Sequence, residues 1–129
     1  MTSIWLTEEW FTAAAAQGSG IAGPPTLSAS FLVEIGGGTE GDRIAHVVFD
    51  GGRLVEIGSG SVASPDVTLT LTDVDARAVL SGELDLAVAF MQGRMKVAGA
   101  MAPLLDLLAF AATADSRSRR TRLHELTNQ

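Results

Sequence analysis

The sequence predicts an α+β domain in which a five-stranded, mostly antiparallel sheet is covered on one face by helices. Runs of alternating apolar and polar residues are typical of strands, and tight glycine turns join the first three runs. Stretches with helical apolar spacing and capping residues lie before and after these runs. A chain of 129 residues with 47% hydrophobic residues suits one domain with a single core.

A first helix is predicted from Thr7 to Gly18. Thr7 suits the N-cap position, and Glu8 and Glu9 suit the positive end of the helix dipole. The residues expected on its inner face are Trp10, Phe11, Ala14 and Ala15.

Three alternating runs, residues 28–35, 43–50 and 53–58, predict an antiparallel meander. A fourth strand is predicted over 66–71 and a fifth over 94–98. The residues expected to point inward are Ala29, Phe31, Val33, Ile35, Ala45, Val47, Phe49, Val55, Ile57, Val67, Leu69, Leu71, Met95 and Val97.

Three further helices are predicted in the second half of the chain. The first runs over 73–80 after the cap residue Thr72, and the second is short, beginning near Asp85 and ending at Gly93. The third follows Gly99 and is unusually apolar. Its predicted inner face contains Met101, Leu104, Leu105, Leu107, Leu108, Ala111 and Ala112.

Charge and composition exclude several classes of function. The net charge of −6 argues against a nucleic-acid partner, and the absence of Cys excludes thiol chemistry. The N-terminal sequence is not expected to be a signal peptide, and no apolar run is long enough to span a bilayer. We therefore expect a cytoplasmic protein with at most peripheral membrane contact. Arg117, Arg119, Arg120 and Arg122 form a run that could touch an acidic partner or a membrane surface, but such a run is more often simply a solvated end.

The candidate chemical motifs favour structural roles. Two GxGxxG-like patterns, 36–41 and 58–63, lead into strands rather than helices, which favours turn glycines over a nucleotide loop. His46 and His124 lack a second ligand at metal spacing, and no GxSxG motif occurs. Asp106 is a candidate anchor for a ligand head group. Arg94 and Lys96 are expected on the exposed side of the fifth strand, although they could also meet a carboxylate at a cavity mouth. No cofactor and no metal are predicted.

The excess of aliphatic residues has two interpretations. It can form an ordinary core, which the residues alone favour, or it can line a cavity between the sheet and the helices.

The order of four segments resembles the sterol carrier protein 2 (SCP-2) sterol-transfer family. These are FDGGRLVEIG at 49–58, PDVTLTL at 65–71, SGELD at 81–85 and AFMQGRMKVAG at 89–99, and the resemblance covers about residues 5–112. It implies a sheet backed by helices around a hydrophobic tunnel. It also implies binding of sterols, fatty acids or fatty acyl-CoA without catalysis. One departure is Ala100, where the family often has a small polar residue that would cap the last helix.

The resemblance implies a lipid-binding domain over 1–112 and leaves 113–129 as an arginine-rich C-terminal tail. The expected ligand-binding residues are Phe31, Val33, Leu80, Leu84, Phe90, Met91, Met101, Leu104, Leu105 and Leu108.

We therefore expect a non-catalytic protein that binds, and transfers, a hydrophobic small molecule. One alternative is a ligand-free interaction module that uses the apolar C-terminal helix, for example in a homodimer. Another is a small enzyme, or an accessory to one, with Asp106 or His46 as base.

Overall fold

The computed structural model describes residues 3–128; residues 1, 2 and 129, at the ends of the predicted domain and tail, lie outside that range. The helices and strands follow one another in the order β1 (Ser3–Ile4), α1 (Glu8–Gly18), β2 (Ala29–Gly38), β3 (Gly41–Asp50), β4 (Arg53–Ser59), β5 (Val67–Thr72), α2 (Asp73–Ser81), α3 (Leu86–Met91), β6 (Lys96–Gly99), α4 (Met101–Ala112), α5 (Ala114–Glu125) and β7 (Thr127–Asn128).

The main sheet has five strands in the order β4-β3-β2-β5-β6. Strands β2 and β5 are parallel and the other three pairs are antiparallel, which confirms the predicted α+β class. The register places Phe31 opposite both Val47 and Val67, so the buried residues of neighbouring strands share one face. Helix α1 packs on β4, and α2 packs on β2 and β5. The short strands β1 and β7 pair in parallel as a separate two-stranded sheet.

The predicted helix caps are present. The hydroxyl groups of Thr7 and Thr72 accept hydrogen bonds from the amides of Trp10 and Asp75, respectively. Gly82 ends α2 with a left-handed backbone. Ala100 gives α4 no side-chain cap, but its amide donates to the carbonyl of Asp66 at 3.2 Å. The start of α4 is therefore tied to the sheet by its backbone.

The predicted inner faces need corrections in α1 and β4. Ala15 is exposed, because the core-facing side of α1 is formed by the buried Trp10, Phe11 and Ala14 together with the partly buried Ala13. Val55 is 59% exposed, because the register between β3 and β4 shifts at this point. The shift pairs Phe49 with Leu54 instead, so Leu54 takes the inward position.

Helix α4 is rotated relative to the predicted inner face. Met101 and Leu105 are each 55% exposed, and Ala112 is also exposed. Phe110, which the prediction left out, is buried with its ring 4.9 Å from that of Phe49. The edge-to-face stacking of these two rings favours a rotation of α4 that points Phe110 toward the sheet and leaves Met101 and Leu105 exposed.

The arginine-rich segment folds as a helix, so the expectation of a solvated end is wrong. Helix α5 packs on α1, α2 and α4, and Leu123 is buried. Its N-cap is Thr113, whose hydroxyl accepts from the amide of Ser116. The division of the chain at residue 112 stays a prediction. Within residues 3–128 no helix combines the length and the apolarity that a membrane span requires.

The N-terminal segment is held by the carboxylate of Asp73. The indole N–H of Trp5 donates to it at 2.8 Å, and Nε of Arg77 donates at 2.7 Å. Burial alone would raise the pKa of Asp73, but these two hydrogen bonds and the charges of Arg77 and Arg43 outweigh it. The pKa of Asp73 is therefore lowered from its ordinary value.

The Asp73→Asn variant should be less stable than the wild type by about 1–2 kcal/mol at pH 7, because charge-assisted hydrogen bonds are lost. A carboxylate with a lowered folded-state pKa stabilises the protein above its unfolded pKa, and this contribution disappears as the pH falls through the folded pKa. The difference between wild type and variant should therefore shrink below about pH 4. Urea unfolding of both proteins between pH 7 and pH 2.5 measures this difference in the free energy of unfolding. A difference that does not depend on pH would contradict the lowered pKa of Asp73 in the folded protein.

Gly99 joins β6 to α4 with a backbone that requires glycine. Its φ is +118°, and a Cβ there would lie 2.9 Å from Cα of Val67 and against the carbonyl oxygen of Asp66. Gly99→Ala should therefore lower the free energy of unfolding by more than about 2 kcal/mol.

The matched control for this variant is Gly20→Ala. Gly20 has a φ of +83°, but nothing lies within 4 Å of the added carbon. The Gly20→Ala control should lose only about 1 kcal/mol of unfolding free energy, because alanine is strained at a positive φ. Equal losses in urea unfolding would show that the close approach of β5 to Gly99 is unimportant.

Candidate functional site

A cavity of about 230 Å³ lies between one half of the covered sheet face and the helices. Strands β3 and β4 form its floor, and α1, α4 and α5 form most of its walls. The residues that line it are Trp10, Ala14, Gln17, Gly18, Ile21, Val47, Phe49, Leu54, Ile57, Val79, Leu86, Leu107, Phe110, Ala111, Ser116, Arg119, Arg120 and Leu123.

The lining is apolar because each element contributes its inward side chains there. Val47 and Phe49 alternate on β3, and the register shift in β4 brings Leu54 and Ile57 to the same face. The helices opposite carry small residues at some lining positions, including Ala14 and Ala111. Small side chains on the helices leave space above the sheet, and such space favours an apolar occupant.

Helix α5 forms the wall that sequence reasoning missed. Arg119 donates to the backbone carbonyls of Gln17 at 3.0 Å and Ser19 at 3.4 Å, at the C-terminal end of α1. Arg120 donates to the hydroxyl of Ser116 at 2.6 Å and to the carbonyl of Ala111 at 2.8 Å, near the end of α4. Both arginines thus satisfy carbonyls that have no partner within their own helix. They also tie α5 to α1 and α4.

Arg120 is in an unfavourable position for a charge. Its burial, together with the positive charge of Arg117, lowers the pKa of Arg120, while Asp85 acts in the opposite direction. Its Nε atom is buried and has no hydrogen-bond partner among the described residues.

None of the ten residues that the sequence predicted for ligand binding lines this cavity. Met91 is 75% exposed, and Met101 and Leu105 are exposed as well. The remaining seven contribute to the core: Phe31, Leu80, Leu84 and Leu104 are buried, and Val33, Phe90 and Leu108 are partly buried against it. Their role in ligand binding stays a prediction, as does a tunnel.

The other candidates have partners of their own. His46 lies on the uncovered face of β3, with Nε2 2.7 Å from Oε2 of Glu56. Asp106 accepts from the hydroxyl of Thr26 at 2.8 Å. Arg94 pairs with Asp75 at 2.7 Å, outside the cavity.

The two glycine-rich stretches occupy turns and strand ends. Residues 36–41 cover the β2–β3 hairpin, and residues 58–63 cover the end of β4 and the loop that follows. Neither stretch opens a helix, as the nucleotide-binding pattern requires.

A second, polar cleft of about 350 Å³ lies beside the β2–β3 hairpin. It is larger than the apolar cavity, but three of its four charged side chains already have hydrogen-bond partners. Asp73 pairs with Arg77, and Arg43 donates to the carbonyls of Trp5 and Leu6. We therefore take the apolar cavity as the candidate site.

Known proteins share this fold. The chain is 15% identical to a conserved hypothetical protein of Thermus thermophilus, with a TM-score of 0.71 over 100% of this chain and 94% of that one. It is 23% identical to palmitated SCP2L2 of Aedes aegypti, with a TM-score of 0.63 over 81% of this chain and 90% of that one.

A similarity in sequence links the chain to a much longer protein. It is 31% identical over 75 residues to peroxisomal multifunctional enzyme A of Dictyostelium discoideum. The match covers 58% of this chain and only 17% of the Dictyostelium protein. The model of the SCP-2 sterol transfer family matches residues 26–111. Because this match spans more than half of the chain, the protein belongs to the SCP-2 sterol transfer family.

Proposed function

We propose that this protein binds a hydrophobic small molecule in the cavity between β3, β4 and the helices, and carries it without changing it. The observation that carries the proposal is an apolar cavity walled by Phe49, Leu107 and Phe110 in a domain of this family. The ligand classes that we propose are those of the family: a sterol, a fatty acid or a fatty acyl-CoA.

The size of the cavity limits how such a ligand fits. Its volume of about 230 Å³ exceeds that of an engineered cavity of roughly 150 Å³ that binds benzene. They fall below the roughly 300–1,000 Å³ of sites for drug-sized ligands. A long-chain ligand therefore requires a wall to move outward. We propose that α5 is this wall, because only Ser116 and Leu123 of this helix are buried and hydrogen bonds from Arg119 and Arg120 tie it to α1 and α4.

The energy of burial is sufficient for useful affinity. Transfer of about sixteen carbons from water gives on the order of 12 kcal/mol, at roughly 0.8 kcal/mol for each methylene. Ordering and loss of free motion cost an estimated 4–15 kcal/mol. At the low end of this cost about 8 kcal/mol remain, which corresponds to micromolar affinity.

Carriage rather than catalysis fits the groups that line the cavity. The one hydroxyl nucleophile among the lining residues, that of Ser116, already accepts a hydrogen bond from the cationic Arg120. Among the described residues that line the cavity there is no His, Asp or Glu that could take the proton from this hydroxyl.

The proposal is tested on the purified protein by native mass spectrometry, followed by extraction with organic solvent. A co-purifying lipid, or stoichiometric uptake of added hexadecanoic acid or cholesterol, is expected. Failure to bind any of these ligands in repeated preparations would contradict the proposal.

Val47→Phe should reduce ligand affinity at least tenfold, because Val47 lines the cavity and the larger ring fills it. The change adds apolar volume to empty space, so stability should change by less than about 1.5 kcal/mol. The matched control is Val48→Phe, on the opposite face of the same strand. Titration with a fluorescent fatty acid measures both variants. Equal affinities of the two would place the ligand elsewhere.

A further inference from the structure

The surface of the cavity between β3, β4 and the helices is almost wholly apolar. Two of the polar groups on its lining residues already have partners. The indole N–H of Trp10 donates to the hydroxyl of Thr127 at 2.9 Å. The hydroxyl of Ser116 accepts from Arg120 at 2.6 Å. An occupant therefore finds contact surface in the cavity but few hydrogen-bonding partners among the described residues.

Such a surface selects against a polar occupant. A polar group that is buried without a hydrogen bond loses its interactions with water, and a buried charge loses far more. An ordered water molecule also needs roughly two to four polar partners, so water gains little in this cavity. The surface therefore favours a neutral molecule without polar groups.

The volume of the cavity limits the size of its occupant. An engineered cavity of roughly 150 Å³ binds benzene, which has six carbons. In proportion, a cavity of about 230 Å³ holds about nine carbons. A molecule of this size fits without any outward movement of α5, whereas a long acyl chain requires such a movement.

Aromatic side chains are concentrated on the cavity wall. The chain has only five phenylalanines and two tryptophans, yet Trp10, Phe49 and Phe110 all line the cavity. The rings of Phe49 and Phe110 lie edge to face, with their centroids 4.9 Å apart and their planes at 70°. Aromatic rings favour edge-to-face or offset-stacked contacts with further rings. A rigid cyclic occupant gains these contacts and loses little conformational freedom on binding.

We propose that the cavity binds a further class of ligand, a compact, neutral, cyclic hydrocarbon of about nine carbons. This inference rests on the proposed function, because it needs the same cavity to accept a hydrophobic molecule. It adds a ligand class to the sterols, fatty acids and fatty acyl-CoA of the family. Unlike those ligands, the compact hydrocarbon needs neither a head group nor an open position of α5.

The test compares indene with benzimidazole at pH 8, by amide NMR titration of the full ¹⁵N-labelled chain. Both molecules are flat bicyclic rings of nine ring atoms, but benzimidazole carries two nitrogens in place of two carbons. The wild type should bind indene at least about tenfold more tightly, because the nitrogens lose their hydrogen bonds to water in the cavity. The saturable shift changes should include the cavity residues Val47 and Leu54.

Ala111→Leu should change the size of the preferred ligand from indene to benzene. Ala111 is buried and lines the cavity, and leucine adds three carbons there, which leaves room for about six. The affinity for indene should therefore fall at least about tenfold relative to that for benzene. The matched control is Ala112→Leu at the next, exposed position of α4, which should keep the wild-type preference. An unchanged preference for indene in Ala111→Leu would contradict the inference.

The wild-type comparison needs no variant, so the test survives if a substitution prevents folding. Equal affinities for indene and benzimidazole would overturn the inference and leave the proposed function standing. Failure to bind indene, in a preparation that binds hexadecanoic acid, would have the same meaning. Failure to bind indene, hexadecanoic acid and cholesterol would overturn the proposed function and the inference with it.

Discussion

The covering of the inner face of β3 and β4 is the constraint on which the rest of the structure depends. These two strands form one side of the sheet, and Phe49 is nearly fully buried there. Helices α1 and α4 cover this face with large residues such as Trp10 and Phe110, and with small residues such as Ala14 and Ala111. Helix α5 completes the cover, and the guanidinium groups of Arg119 and Arg120 hold it against the ends of the other two helices.

The same arrangement explains why a cavity exists at this place. A core closes by interdigitation of large side chains, and the side chains of alanines such as Ala14 and Ala111 are too small to fill the space beside Val47. The wall that closes the space, α5, has a single buried apolar residue, Leu123, and polar contacts from Arg119 and Arg120 also hold it. Such a wall can separate from the sheet at lower cost than α4, whose Leu104 is completely buried. Ligand binding and the stability of α5 are therefore coupled in this account.

Local features of the sequence predicted the fold well. Strict alternation placed the strands, and threonine and glycine marked helix ends, because these signals depend on neighbours within a few residues. The position of the cavity depends on distant contacts instead. The rotation of α4 follows from the stacking of Phe110 on Phe49, and the inward turn of Leu54 follows from a register shift. Arg119 finds its acceptors about 100 residues away, which no local pattern indicates.

The most direct test of the account is a titration of the ¹⁵N-labelled protein with hexadecanoic acid, followed by amide NMR. The cavity predicts the largest shift changes in β3, β4 and α5, at residues such as Val47, Leu54 and Leu123. Amides near the exposed Met91 and Met101 should change little. Changes centred on those methionines, with β4 and α5 unaffected, would contradict the placement of the ligand.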